Sequence, residues 1–319
     1  MARGTLLSPR TSKLPASSPL YYRLTRRKPF LLREQLQIVF STQQVINIAS
    51  VPHRSPFRYP GGKTWLVPHV RRWLVSSSAR RCEFVEPFAG GAIVGLSVLF
   101  DGLTQHLTLV ELDDHVAAVW EIILGKRAKE FACRIASFEP ARQAVSQILG
   151  QRPLNIFELA FATVVRNRVQ RGGIMAPGAS LMKAGENGRG LRSRWYPETL
   201  KKRILEIAEK RDRISFFHGD GIEYIRKMAS REDAVFFIDP PYTVAGRRLY
   251  VHSELDHEKL FRIASTIRGD FLMSYDNATP IRELAQKCGF DIEEVAMKNT
   301  HHEVMTELLI GKNLDWLRR

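Results

Sequence analysis

The sequence predicts an α/β fold, in which a doubly wound sheet carries an inserted, mostly helical segment. From Phe57 onward, short apolar runs alternate with stretches of helical periodicity, as in βα repeats. Between Lys126 and Lys210 this alternation gives way to helices and then to a stretch rich in Gly and Arg. With 319 residues, 44% of them hydrophobic, the chain is long enough to bury a full core.

Six apolar segments are the predicted strands of the sheet. They are residues 83–85, 107–111, 214–218, 234–238, 271–274 and 307–310. Each ends near a residue with a reactive or ligand-binding side chain. Since open α/β sheets bind ligands beyond the carboxyl ends of their strands, we expect the functional site at that edge.

The chain divides by composition into an extension, a core and an insert. Residues 1–52 are basic, with Glu34 as their only acid, and are predicted to be weakly ordered. They are expected to be a dispensable arm or the product of an upstream start codon; an organelle transit peptide is the alternative, since a secretory apolar region is lacking. Residues 53–125 and 211–319 are predicted to form the core, and residues 126–210 an insert within it.

A formal charge of +15 and a pI near 10.0 favour a polyanionic partner, above all nucleic acid. The sequence has no run of about 18 apolar residues, so we expect no membrane span. Three cysteines lie far apart without a C-x-x-C pair, which favours a reducing cytoplasm over a disulfide framework. No metal is expected, because the histidines form no compact ligand set.

The first candidate motif runs from Phe57 to Lys63. Gly61 and Gly62 allow a tight turn and a close approach to a ligand, and Lys63 adds a charge. On its own, the motif is more typical of a turn followed by a surface lysine at the start of a helix.

The second motif joins a strand end to a Gly-rich turn, Val85-Glu86-Pro87-Phe88-Ala89-Gly90-Gly91-Ala92, and an apolar helix follows. Such a turn lets the backbone approach a nucleotide-like ligand, and Glu86 can hold its hydroxyl or amine groups. Glu111 and Asp113 end the next strand, where an acid commonly binds a ribose. From these acids alone, a nicotinamide dehydrogenase remains open, and Glu111 could equally be a surface acid.

The third motif is Asp239-Pro240-Pro241-Tyr242, which directly follows the apolar strand 234–238. Two prolines fix φ and remove two backbone donors, so the turn is stiff and the Pro240 carbonyl can face a ligand. Between the Asp239 carboxylate and the Tyr242 ring, that carbonyl can receive a flat base that carries an amino group.

The insert contains a basic cluster with aromatic residues at its end, a composition suited to phosphate contacts and base stacking. Its residues are Arg166, Arg168, Arg171, Lys183, Arg189, Arg192 and Arg194, followed by Trp195 and Tyr196. A solvated basic loop is the alternative interpretation.

With these segments in this order, the chain resembles the Dam-type (alpha-group) adenine-N6 DNA methyltransferases. The resemblance covers residues 56 to about 313. It also includes Asn167-Arg168 with Gly172-Gly173, His218-Gly219-Asp220, Ser274-Tyr275-Asp276-Asn277 and Thr306-Glu307-Leu308-Leu309-Ile310. Three positions depart from the family pattern: the family often has Trp where Tyr59 stands, Asp where Glu86 stands, and a second glycine where Ala92 stands.

The resemblance implies a Rossmann-like methyltransferase catalytic core in residues 53–125 and 211–319 and a target-recognition insert in residues 126–210. It also implies S-adenosyl-L-methionine as cofactor and double-stranded DNA as partner. The implied cofactor-binding residues are Tyr59, Gly61, Gly62, Lys63, Glu86, Pro87, Phe88, Gly90, Gly91, Glu111, Asp220 and Asp239. Asp239, Pro240, Pro241 and Tyr242 are the implied catalytic residues. Nucleic acid contacts are expected from Arg166, Asn167, Arg168, Arg171, Arg189, Arg192 and Arg194.

The chemistry of such a loop follows from its substrate. The N6 lone pair of adenine is delocalised, so hydrogen bonds to Asp239 and Pro240 must direct it towards the methyl carbon. The base must also be flipped out of the duplex, where Tyr242 can stack on it; Phe57 or Tyr275 could line the pocket or belong to the core.

Several alternatives stay open. Cytosine-N4 enzymes usually have Ser in place of Asp239, and protein-glutamine enzymes have Asn. RNA adenine methylation and a non-catalytic DNA-binding descendant also fit the sequence. A monomer is expected, and a restriction partner, a phage origin or an orphan regulatory role would fit equally well.

Overall fold

The computed structural model describes residues 51–58, 62–76, 82–175, 179–185, 188–242, 255–298 and 304–319, with the backbone alone for residues 297, 298, 304 and 305. Within these residues, seven strands form one sheet in the order β3-β2-β1-β4-β5-β7-β6. The strands are β1 Glu83–Glu86, β2 His106–Glu111, β3 Ile214–His218, β4 Ala234–Ile238, β5 Asp270–Asp276, β6 Asp291–Lys298 and β7 Val304–Gly311.

The first five strands of the sheet are parallel, and β7 runs antiparallel to both β5 and β6. Strand order reverses between β1 and β4, which is the switch point of a doubly wound sheet. The predicted α/β class with a Rossmann-like sheet is thereby confirmed, and each of the six predicted strands lies within an observed one. The antiparallel β7, inserted next to β5, distinguishes this sheet from the dinucleotide-binding order 3-2-1-4-5-6.

Strand β6 is absent from the sequence-based prediction. Its sequence, DIEEVAMK, carries three acids, because the strand forms the outer edge of the sheet and pairs with β7 alone. Charged side chains are common on edge strands, where they discourage pairing with other chains. They also conceal the alternation of apolar residues that a strand prediction needs.

Helices cover both faces of the sheet. They are α1 Val67–Ser76, α2 Ile93–Phe100, α3 Asp114–Leu124, α4 Ala128–Ser137, α5 Arg142–Gly150, α6 Ile156–Val169, α7 Pro197–Ala208, α8 Gly221–Met228, α9 His257–Ala264, α10 Thr279–Lys287 and α11 Asp315–Arg318. No helix within the described ranges has the length and apolar character needed to cross a bilayer.

The core consists of two hydrophobic clusters, one on each face of the sheet. Along β4, Val235 and Phe237 belong to one cluster, whereas Phe236 and Ile238 belong to the other. Because side chains alternate along a strand, both faces of β4 are buried, as in a sheet covered by helices on both sides.

The insert does not have a core of its own within the described residues. Phe131 of α4, Phe161 of α6 and Leu200 of α7 belong to the same cluster as Phe84 of β1 and Leu107 of β2. Helix α7 packs on α4, and α6 packs on α3. The insert is therefore anchored to one face of the sheet, and its boundaries as a separate domain stay a prediction.

Candidate active site

The candidate site lies at the carboxyl edge of the parallel strands. Glu86 ends β1, Glu111 ends β2, and Asp239 directly follows β4. Glu307 reaches the same edge from β7, because it lies opposite Asp276 at the end of β5. The fold thus brings together four acids, on both sides of the switch point between β1 and β4, where open α/β sheets bind ligands.

Lys63 joins the first predicted motif to the Asp-Pro-Pro-Tyr loop. It opens a short 3-10 helix, Lys63–Leu66, and is only 7% exposed. Its Nζ lies 3.2 Å from Asp239 Oδ1 and 3.2 Å from Glu307 Oε2, and it also contacts the Tyr242 hydroxyl. Burial acts to lower the pKa of Lys63, but the charges of Asp239 and Glu307 outweigh it and the pKa is raised.

The Asp239 carboxylate is held from a second side by Ser274 of β5. The Ser274 hydroxyl donates to Asp239 Oδ1 at 2.7 Å and is itself completely buried. Lys63 Nζ contacts the same oxygen, so Ser274 and Lys63 both orient the Asp239 carboxylate through Oδ1. The other oxygen can then accept a hydrogen bond from a substrate amine.

Tyr242 lies against a second tyrosine. Its ring is stacked on Tyr275 with centroids 6.3 Å apart and an angle of 22° between the planes, and its hydroxyl donates to Glu307 Oε2 at 2.8 Å. Tyr275 is fully buried, and its hydroxyl is 3.0 Å from His257 Nδ1. Tyr275 is therefore a core residue, and its ring packs against the Tyr242 ring.

Glu86 is a buried acid beside the helix that follows the Gly-rich turn. Its Oε2 accepts a hydrogen bond from the Gly95 N–H at 2.9 Å, and a side chain at Gly95 would collide with that oxygen. Burial raises the pKa of Glu86 well above its usual value; the Gly95 bond opposes this rise, and the charge of Asp239 adds to it.

We expect Glu86→Gln to stabilise the protein at neutral pH but not near pH 4. Because burial raises the folded-state pKa above the unfolded-state value of about 4.3, the folded chain holds a proton that the unfolded chain releases. The contribution of Glu86 to wild-type stability therefore falls as pH rises from the unfolded-state pKa to the folded-state pKa. The fall is about 1.4 kcal/mol for each pH unit. Urea unfolding of both proteins from pH 4 to 8 measures the difference, and parallel profiles would contradict it.

Glu111 organises the Gly-rich turn. Its carboxylate accepts backbone N–H bonds from Gly90 at 2.7 Å and from Leu112 and Asp113 at 2.9 Å each. Burial raises its pKa, while these bonds oppose the rise. Leu112, which follows directly, is 47% exposed and so places an apolar side chain at the ligand edge.

The Gly-rich turn ends in a left-handed residue. Ala92 has φ 48° and ψ 33° at the start of α2, and it is the non-glycine residue with positive φ among those described. This is the position where the family pattern has a glycine. The left-handed conformation costs an alanine about 1–2 kcal/mol. Alanine in place of glycine therefore keeps the turn but strains its backbone.

Asp220 caps helix α8. Its Oδ1 accepts from the N–H of Ile222 at 2.7 Å and of Glu223 at 3.4 Å. The next residue, Gly221, packs directly on the turn after β1: a Cβ there would collide with the Pro87 carbonyl oxygen and lie 2.9 Å from its carbon. Sequence reasoning missed Gly221, whose role depends on a contact between distant segments.

Two predicted nucleic acid contacts lie in the interior. Asn167 and Arg168 are 1% and 3% exposed. Asn167 accepts from the Arg58 N–H at 2.8 Å and donates to the Arg58 carbonyl at 2.7 Å, and Arg168 Nη2 donates to the Pro56 carbonyl at 2.5 Å. In this structure they fix the segment that leads into the Lys63 motif, instead of facing a groove.

The remaining basic residues of the insert are divided between surface and interior. Arg171, Lys183, Arg189 and Arg192 are exposed, and Arg192 pairs with Glu139. Arg166 is half-buried, with Nη1 3.5 Å from His115 Nδ1, and Arg194 is also half-buried. Trp195, predicted as a stacking residue, is 5% exposed and packs on Phe138, whereas Tyr196 is 42% exposed.

Two predicted cofactor residues, Tyr59 and Gly61, lie outside the described residues. Pro87 is buried, and Phe88, Gly90 and Gly91 are half-buried in the turn, whereas Gly62 is exposed before Lys63. Pro240 is buried, and Pro241 and Tyr242 are half-buried. The site thus combines Lys63 and the Gly-rich turn after β1 with the Asp-Pro-Pro-Tyr loop at one edge.

No protein-family model and no curated protein sequence matches the chain. Among solved structures, the rRNA methyltransferase AviRa from Streptomyces viridochromogenes is 10% identical, covers 85% of this chain and 95% of its own, and has a TM-score of 0.39. The precorrin-6y C5,15-methyltransferase from Geobacter metallireducens is 11% identical, with 76% and 86% covered and a TM-score of 0.34. Spermidine synthase from Thermotoga maritima is 11% identical, with 78% and 58% covered and a TM-score of 0.36.

Proposed function

We propose that this chain is an S-adenosylmethionine-dependent methyltransferase that modifies the exocyclic N6 of adenine in double-stranded DNA. The observation that carries the proposal is the position of Asp239. Its carboxylate follows β4 at the switch point and is oriented by Lys63 and Ser274 at 3.2 and 2.7 Å. A fixed acceptor in a stiff loop, next to an aromatic ring, suits a flat base that presents an amine.

The charges of the site favour a cationic cofactor. Three acids besides the buried Glu86, namely Glu111, Asp239 and Glu307, lie at the carboxyl edge, with Lys63 between Asp239 and Glu307. Such an excess of carboxylates would repel the pyrophosphate of a nicotinamide dinucleotide, whereas it attracts an ammonium and a sulfonium. S-adenosylmethionine carries both and supplies an electrophilic methyl group.

The residues around the Gly-rich turn fit the parts of this cofactor. Glu86 and the Pro87 to Gly91 turn would hold its methionine portion, and Glu111 would receive its ribose. Leu112 offers an exposed apolar surface beside Glu111 on which the flat adenine can lie. The second oxygen of Asp220 would accept from the adenine amine, since Oδ1 caps α8.

The catalytic loop would act on the nitrogen of the substrate. Asp239 and the Pro240 carbonyl accept hydrogen bonds from N6, which directs its lone pair towards the methyl carbon. The N–C bond forms as the C–S bond breaks, and the electron pair of that bond stays on sulfur. N6 then releases its proton to Asp239 or to water.

A methyl transfer assay tests the proposal. Purified protein is incubated with methyl-labelled S-adenosylmethionine and either duplex DNA or RNA, and the nucleosides are separated by chromatography and mass spectrometry. We expect N6-methyldeoxyadenosine from DNA. Label in RNA alone, in N4-methylcytosine, or in protein glutamine would overturn the assignment to DNA adenine.

The exposed basic residues of the insert are the proposed DNA contacts. We expect the double variant Arg171→Gln and Arg189→Gln to weaken duplex binding about tenfold near 0.1 M salt. The slope of log binding constant against log salt concentration should become less steep by about two, because each phosphate contact releases close to one counterion. Fluorescence anisotropy at several salt concentrations measures both effects.

The matched control is Arg262→Gln with Lys287→Gln, which removes the same charge from exposed positions on α9 and α10. Equal losses in the two double variants would mean that only net charge matters. The insert would then not be the DNA-binding surface.

A further inference from the structure

Glu307 is a buried acid that contacts two different parts of the catalytic site. It lies on β7 and is 6% exposed. Its Oε2 is 3.2 Å from Lys63 Nζ and accepts the Tyr242 hydroxyl at 2.8 Å. One carboxylate therefore joins the Gly-Lys motif near the start of the core to the last residue of the catalytic loop.

These contacts form a closed ring of side chains. Lys63 lies between Asp239 and Glu307, with Nζ 3.2 Å from each, and Nζ is 4.5 Å from the centre of the Tyr242 ring. Asp239 and Tyr242 are the two ends of the Asp-Pro-Pro-Tyr loop. The ring thus begins and ends on the loop, and Glu307 closes it from another strand.

Glu307 also sets the charge balance around Asp239. A buried ammonium must be paired, and Lys63 has two carboxylate partners. If the charge of Glu307 were removed, Lys63 would rely on Asp239 alone and would draw its negative charge away from the substrate amine. Asp239 would then be a weaker hydrogen-bond acceptor.

Another acid, besides Asp239, faces Glu307. Asp276 lies directly opposite it across the β5–β7 pair, and opposed residues on antiparallel strands share a face of the sheet. Burial raises the pKa of Glu307, the charge of Lys63 opposes this rise, and the charge of Asp239 adds to it. Lys63 is the cation that the structure places against this group within the described residues.

We propose that Glu307 is a positioning residue for the methyl transfer, which rests on the function proposed above. It shares the charge of Lys63, so that Asp239 keeps an oxygen with full acceptor strength for N6. It also fixes the Tyr242 hydroxyl, which holds the ring over the position of the base.

Glu307→Gln tests this role, because glutamine preserves the size of the side chain and an acceptor for the Tyr242 hydroxyl but removes the charge. In single-turnover assays we expect methyl transfer about 30-fold slower or more, with the donor Kd and the DNA KM within about twofold of wild type, the pattern of an interaction needed in the transition state. Glu307→Asp, which keeps the charge, should recover part of the rate.

A double variant separates a shared role from independent ones. Because Glu307 acts through Lys63, the transfer rate of the double variant Lys63→Gln with Glu307→Gln should be less than twofold below that of Lys63→Gln alone. Fully multiplicative losses would overturn the proposal. So would a normal transfer rate in Glu307→Gln, or a loss explained by donor or DNA binding or by a lower melting temperature.

One readout does not depend on activity. In protein labelled with ¹³C-lysine, the Lys63 signal should titrate above free lysine in wild type and at lower pH in Glu307→Gln; Lys63→Gln identifies the signal. An unchanged Lys63 titration would overturn the role of Glu307. If wild type transferred no methyl group to DNA, the proposed function would fail. The Lys63 titration would then decide by itself whether the charge of Glu307 raises the pKa of Lys63.

Discussion

Replacing Asp239 with alanine is expected to slow methyl transfer about a thousandfold while duplex DNA affinity stays within about twofold. In the proposed mechanism, the variant loses the carboxylate that directs the N6 lone pair. Lys63 then faces Glu307 as its remaining carboxylate partner among the described residues. The DNA-binding surface proposed for the insert is left intact. Catalysis and binding should therefore separate in this one variant.

The measurement pairs single-turnover transfer with anisotropy of labelled duplex, at the same salt concentration. Asp212→Ala is the control, since Asp212 is an exposed aspartate before β3. An Asp239→Ala protein that methylates at the wild-type rate would remove the basis of the catalytic assignment. A variant that is inactive because it no longer binds DNA would point to a structural role for the loop.

The second large effect is expected from Gly221→Ala. The new methyl group would collide with the Pro87 carbonyl and lie 3.3 Å from Phe88 Cε1, so the turn after β1 or the start of α8 must move. Overpacking of this kind costs about 1–3 kcal/mol of unfolding free energy. Because the displaced turn is the proposed methionine site, donor affinity should fall at least about tenfold, a change of roughly 1.4 kcal/mol.

Gly219→Ala is the matched control for stability. Gly219 lies two residues earlier, and a Cβ there meets no atom within 4 Å. Urea unfolding of the two variants and calorimetric titration with S-adenosylmethionine give both quantities. If the two variants are equally stable, the close packing of α8 on the Pro87 turn is not a constraint on the fold.

The sheet was largely predictable because most of its strands are buried on both faces. Strands such as β4, AVFFI, are continuous apolar runs, which short buried parallel strands require. The sequence did not reveal β6, whose charges reflect its place at the edge. It also did not reveal that β7 lies between β5 and β6, because strand order depends on pairing between segments and not on local pattern.

The candidate site could be predicted where its parts depend on local backbone geometry. The Gly-rich turn after β1 and the Asp-Pro-Pro-Tyr loop could be recognised because their residues fix the turn by themselves. The partnership of Lys63 with Glu307 joins residues 244 apart, and no local pattern signals it. Composition likewise could not separate Arg168, which binds a backbone carbonyl in the interior, from the exposed Arg171.

The place of β7 in the sheet has a consequence for protein synthesis. Residues 304–311 emerge from the ribosome after every other strand described, yet they fill an interior position of the sheet. Until they emerge, β6 lacks its pairing partner, and Lys63 lacks one of its two carboxylates. A nascent chain can therefore form the Gly-rich turn after β1 early, but the contacts between Lys63, Glu307 and Tyr242 form only once β7 has emerged.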